Sequence, residues 1–67
     1  MAKQIILNSE QADNALKHAG FVVLRTKGSH RIYAKNNIKV VVPFHSGRDL
    51  HPKVVKQILE AIKKAEI

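Results

Sequence analysis

Cysteine is absent, which excludes disulfides and thiolate metal sites and suits a reducing cytosol. Tryptophan is absent as well, and aromatic residues are confined to one Tyr and two Phe. Long apolar runs are also missing. Ile5-Ile6-Leu7 is too short for the core of a signal peptide, and no stretch can span a bilayer, so the expected location is cytoplasmic. Acidic residues are scarce: 5 Asp and Glu face 12 Lys and Arg, a formal net charge of +7. That excess attracts phosphate backbones or anionic lipid heads, or simply keeps the surface solvated. Lipid is the poorer choice, because outside the C-terminal helix no basic helical face is backed by bulky apolar residues. A chain of 67 residues makes one domain, 1–67, too small for a deep pocket. A surface site on a rigid scaffold is the expectation.

Local signals give the element order. Asn8 or Ser9 can cap a first helix, with Glu10 and Asp13 in its first turn. Ala12, Ala15, Leu16 and Ala19 hold one face, and Gly20 ends it. Residues 21–25 read as an apolar strand and 26–29 as a turn. Residues 30–35 form a second strand, Asn36-Asn37 a tight turn, and 38–44 a third strand. After the loop 46–50, Pro52 suits the first position of a last helix, with His51 near its cap. Val54, Val55, Ile58, Leu59 and Ile62 give that helix an apolar stripe, which the sheet needs as its cover. The fold class is α+β in the order α-β-β-β-α, a three-stranded antiparallel sheet with two helices on one face.

The register can be argued from pattern. With Ile32 opposite Val42 and Ala34 opposite Val40, one face carries His30, Ile32, Ala34, Ile38, Val40, Val42 and Phe44. The other then carries Arg31, Tyr33, Lys35, Lys39 and Val41 and stays wet and basic. A slip of one residue pairs Tyr33 with Val40 and Lys39 with Ala34, mixing the faces, so the clean separation is preferred. It sets His30 opposite Phe44, with His45 at the same end of the sheet.

The chemistry sits in Lys27-Gly28-Ser29-His30-Arg31-Ile32-Tyr33. Gly28 permits a turn closed to other residues and a close approach to a ligand. Ser29 and the turn amides can donate to phosphate oxygens, and Lys27 and Arg31 add charge. His30 carries a proton that moves near neutral pH. RNA cleavage uses such a set: a base for the 2′-hydroxyl, an acid for the departing oxygen, and donors for the crowded phosphate. No metal or cofactor is needed when RNA supplies its own nucleophile. Spacing alone leaves a single surface histidine idle more often than catalytic.

These residues, with Ala15-Leu16-Lys17-His18-Ala19-Gly20-Phe21 and the run Val40 to Leu50, resemble the HicA toxin family over most of the chain. The resemblance implies a fold similar to a double-stranded-RNA-binding domain and metal-independent cleavage of mRNA as the toxin of a type II toxin–antitoxin pair. It implies that His30 is the catalytic acid or base and that the partner is a HicB-type antitoxin. The chain departs from the family pattern in two places. Ser46-Gly47 replaces a glycine pair, and Lys53 stands where a glycine often opens the last helix.

Other residues carry open alternatives. His45 is either a second acid–base group or a loop histidine bonded to backbone. Tyr33 either stacks a base from the wet face or is a cross-strand neighbour of Val41. Arg25 and Arg48 are phosphate contacts or solvated charges, and His18 is a helix-dipole partner. The four histidines lack paired ligand spacing, so no metal is expected. Against the nuclease stand two rivals: a non-catalytic RNA-binding module, and an interaction protein for an acidic partner.

Overall fold

A computed structural model describes residues 5–45 and 48–66. Helix α1, Ser9–His18, starts at Asn8, whose side chain accepts from the Gln11 amide at 2.8 Å while the Gln11 side chain accepts from the Asn8 amide at 2.9 Å. This reciprocal pair satisfies two of the amides that a helix start leaves open. Of the two cap candidates Asn8 serves. The Ser9 hydroxyl instead donates to the Pro43 carbonyl at 2.8 Å, tying the helix start to the far end of the sheet.

The helix stops at Gly20, which stands at φ +97°. The Gly20 amide donates to the Lys17 carbonyl and the Phe21 amide to the Leu16 carbonyl, the paired closure of a left-handed helix stop. Phe21 and Leu16 both enter the core, so the stop also packs. A Cβ at Gly20 would meet the Lys35 Nζ at 3.0 Å, a flexible tip that donates to the Ala19 carbonyl. The lasting obstacle to any other residue here is therefore the backbone angle.

Three strands follow: β1 (Val22–Lys27), β2 (His30–Lys35) and β3 (Ile38–Pro43), antiparallel in the order β1-β2-β3. Both turns are two residues long, Gly28-Ser29 and Asn36-Asn37, each with a positive φ at its first residue, 58° and 56°. Short hairpin turns of this kind match the strand twist. The first turn is tighter than the expected residues 26–29, so β1 runs on to Lys27, paired with His30. Phe21 lies before the strand and Phe44 after β3 rather than within them. A bulge between Val23 and Arg25 shifts the β1 register. Helix α2, Pro52–Ala65, begins as expected: His51 is its N-cap, and Nδ1 accepts from the Lys53 amide at 3.1 Å.

The register is the one judged inferior from pattern. Tyr33 pairs with Val40, Ile32 with Val41 and His30 with Pro43. The Asn36-Asn37 turn dictates this, because a two-residue loop must be closed by Lys35 and Ile38. Arg31, Tyr33, Lys35, Ile38, Val40 and Val42 therefore share the helix-covered face. His30, Ile32, Lys39, Val41 and Pro43 share the open one. Tyr33 is fully buried, which corrects the expected face of β2, whereas in β3 Val40 and Val42 are buried and Val41 is exposed, as expected.

Both helices pack on the covered face. The core joins Ala12 and Leu16 of α1, Tyr33, Val40 and Val42 of the sheet, and Val55, Ile58, Ala61 and Ala65 of α2. Phe21 and Leu50 close its ends. Strand β1 is exposed along its whole length. No helix among the described residues is long and apolar enough to cross a membrane.

Two polar tips on the covered face, Tyr33 and Arg31, meet Asp13 of α1, which also pairs with Lys17 of its own helix. The Tyr33 hydroxyl donates to Asp13 Oδ1. Arg31 Nη1 lies 3.6 Å from the same oxygen, and Lys17 Nζ lies 3.1 Å from Asp13 Oδ2. Burial by itself pushes the Asp13 carboxyl up. The Tyr33 hydrogen bond and the Lys17 and Arg31 charges outweigh it and hold that carboxyl below its ordinary value. Burial first, and then the bond to Asp13, push the Tyr33 phenol up to about 12.

Two outcomes follow for stability. Tyr33→Ala should cost roughly 3–5 kcal/mol, as for a buried aromatic, and Ile32→Thr under about 1 kcal/mol. Urea unfolding of both variants checks this, and the reverse ranking restores the rejected register. The folded state holds the Tyr33 proton more tightly than the unfolded chain, whose phenol titrates near 10.0. Its contribution is therefore complete below pH 10 and lost as pH rises towards 12. Between pH 9 and 12 the parent should lose on the order of 2 kcal/mol more than Tyr33→Phe. Parallel curves contradict the buried phenol.

Candidate functional site

The turn Lys27-Gly28-Ser29-His30 projects from the end of the sheet farthest from the Asn36-Asn37 turn. All four residues are exposed. Gly28 has nothing within 4 Å of where a Cβ would stand, so its positive φ rather than crowding favours glycine there. A ligand can approach the turn backbone from that side. The Ser29 carbonyl is spoken for, accepting from the Phe44 amide at 2.6 Å. That bond ties the turn to the exit of β3.

His30, Lys27 and Pro43 stand side by side on the open face. Arg25, two residues back along β1, pairs with Ile32 on the same face. Leu24, Arg25, Ile32 and Lys39 line a shallow depression there. The open face is thus basic, as expected, but Arg25, Lys27 and Lys39 make it so, with exposed Val22, Leu24 and Val41 between them.

Three expected site residues lie elsewhere. Tyr33 is inside the core with its hydroxyl on Asp13, so its ring offers no face to a base. Arg31 is on the covered side, adjacent to His30 in sequence but across the sheet from it. Its guanidinium stacks 4.0 Å above the centre of the Phe44 ring, held there by Asp13. Arg48 is exposed in the loop before α2, its amide donating to the His45 carbonyl at 3.2 Å. The neighbouring departures from the family pattern, Ser46 and Gly47, lie outside the described residues.

His45 comes two residues after the strand partner of His30. Its amide donates to Ser9 Oγ at 3.3 Å, and its side chain is exposed. With Asn8, Ser9, Glu10, Asp13, Asn14, Arg31 and Phe44 it lines a groove of about 700 Å³ between the start of α1 and the exit of β3. The turn end of the sheet therefore carries two surfaces: the exposed basic face with His30, and a groove with His45 and Arg31. Asp13, which anchors the second, reads in sequence only as a helix-dipole carboxylate. Its i,i+4 spacing to Lys17 was the available signal for more. Among the described residues no three His, Cys, Asp or Glu side chains come together.

A search of curated proteins and one of solved structures each returned no match. The family model described as the HicA toxin of bacterial toxin–antitoxin matches residues 9–67. That span takes in both helices, all three strands, the exposed His30 turn and the groove lining apart from Asn8. The fold, the motif and this match agree, and the chain belongs to the HicA toxin family.

Proposed function

We propose that the chain is an RNA endonuclease that cleaves mRNA without a metal, as the toxin of a toxin–antitoxin pair. The observation that carries this reading is the exposure of His30 at a tight turn, beside Lys27 on a basic face. An exposed imidazole can reach a bound strand, and its ring nitrogens can both take and give a proton.

The reaction suits that placement. The 2′-hydroxyl loses its proton to a base and its oxygen bonds to the adjacent phosphorus. The bond from phosphorus to the 5′-oxygen breaks, and that oxygen takes a proton from an acid. The products are a 2′,3′-cyclic phosphate and a free 5′-hydroxyl. His30 supplies one of these proton transfers or both in turn. Charge builds on the phosphate oxygens as phosphorus becomes crowded. The amides of Gly28 and Ser29, the Ser29 hydroxyl and the Lys27 ammonium are placed to meet it. Arg25 and Lys39 hold the flanking backbone of the RNA as positioning charges.

A partner of HicB type fits the same face. Exposed Val22, Leu24 and Val41 among basic residues suit an antitoxin with an acidic or neutral surface, steered by the +7 charge. Such a partner, covering His30, silences the toxin. Action on mRNA in this way belongs in the cytoplasm.

The spread of Arg25, Lys27 and Lys39 along the open face also supports a rival reading, a non-catalytic RNA-binding module. Cleavage of RNA by the purified chain, free of antitoxin and with chelator present, separates the two. The nuclease reading expects cutting by the parent and a loss of at least about a hundredfold in His30→Ala, with the fold retained. Lys27→Glu should slow cutting by roughly tenfold. Binding without cutting, unaltered by His30→Ala and weakening steeply with salt, hands the function to the binding module.

A further inference from the structure

We infer that the groove between α1 and the exit of β3 takes one unstacked base of the RNA, next to the scissile phosphate, and selects it by its edge. This inference rests on the nuclease reading for its substrate, but on a different surface for its evidence.

The floor of the groove is a stacking platform. The Arg31 guanidinium carbon lies 4.0 Å from the centre of the Phe44 ring, and its Nη1 pairs with Asp13 Oδ1 at 3.6 Å. Arg31 keeps over a third of its side chain exposed, at 38 %, and lines the groove, so an occupant can reach it. Guanidinium planes and aromatic rings are the surfaces on which proteins stack splayed RNA bases. A guanidinium already braced by a ring and a carboxylate loses little freedom when a base arrives.

The walls carry hydrogen-bonding groups with no partner among the described residues. Glu10, Asn14 and His45 are exposed, line the groove, and have no side-chain bond or ion pair among the described residues. Asp13 and Asn8, in contrast, are engaged with Tyr33, Lys17 and Arg31, and with the helix cap. Two carboxylates facing the groove, Glu10 and Asp13, disfavour a phosphate as occupant. A base presents both donors and acceptors on its edge, and a Glu10 carboxylate favours one with an exocyclic amine. A space of about 700 Å³ lies within the range of small-ligand clefts.

Connectivity places the groove next to the proposed chemistry. Phe44 donates its amide to Ser29, and Pro43 lies opposite His30. A single strand crossing the sheet end sets its phosphate at the Gly28 turn and the adjoining base over Arg31.

The test uses the full chain with His30→Ala, which keeps RNA intact, and ten-nucleotide oligo-A, oligo-C, oligo-G and oligo-U as probes. Affinity is read by fluorescence anisotropy and the contact surface by amide chemical shifts. Amine-bearing oligomers should bind more tightly than oligo-U by about tenfold, with shifts at Asn14, Arg31 and His45. Glu10→Gln and Asn14→Ala should flatten that preference. Arg31→Lys, which keeps the charge and loses the plane, should weaken every oligomer by severalfold. Equal binding of all four, or shifts confined to Arg25, Lys27 and Lys39, overturns the inference even where the parent chain cuts RNA. Selective binding in the groove by a chain whose parent form does not cut removes the nuclease reading and overturns the placement beside a scissile phosphate, leaving a base-selective RNA-binding groove. Failure of every oligomer to bind overturns the inference, while the nuclease reading stands or falls on cutting by the parent chain.

Discussion

Asn36 stands at φ 56°, and the two-residue turn it opens decides which way every side chain of β2 and β3 faces. With only Asn36 and Asn37 between the strands, Lys35 must lie opposite Ile38, and each earlier pair follows in step. A third residue in that turn would turn Tyr33 and Arg31 outward and His30 inward. The covered face, the Asp13 anchor and the exposed histidine are therefore consequences of one local geometry. The Gly28-Ser29 turn, built the same way at the other end, then lifts His30 clear of the core.

The covered face is held by polar tips as well as by apolar bulk. Tyr33 fills the centre of the sheet and needs a partner for its hydroxyl, which Asp13 provides. Asp13 in turn needs positive charge to remain ionised in a largely buried position, and Lys17 and Arg31 supply it. Arg31 then lies over the Phe44 ring at the rim. Core packing and the shape of the groove are joined through this one carboxylate. A change at Asp13 is expected to reach both stability and RNA selection, whereas a change at His30, outside this network, is expected to reach chemistry alone.

Much of the fold was legible. The cap at Asn8 or Ser9, the Gly20 stop, the Pro52 start and the apolar stripe of α2 are local signals, and each produced the element it implies. The strand register was not legible from polarity. Tyr33, Arg31 and Lys35 count as polar in a pattern, yet each buries its ring or stem and hands its tip to Asp13 or to the Ala19 carbonyl. Those partners lie 16 to 20 residues away in the chain. Conversely Ile32 counts as a core residue, but no helix covers its side of the sheet. Of the candidate site, His30, Lys27, Gly28, Ser29 and Arg25 fall on one surface because a short turn and one strand carry them. Arg31 and Tyr33 leave that set through simple strand alternation.

The central claim is the register, since the exposure of His30 and the burial of Tyr33 both derive from it. Cross-strand contacts between α-protons, measured by nuclear Overhauser spectroscopy on the folded chain, test it most directly. The account predicts close pairs between Ala34 and Lys39 and between Ile32 and Val41. Pairs between Ala34 and Val40 and between Ile32 and Val42 would contradict it, placing His30 on the covered face and leaving the proposed chemistry without an exposed proton carrier.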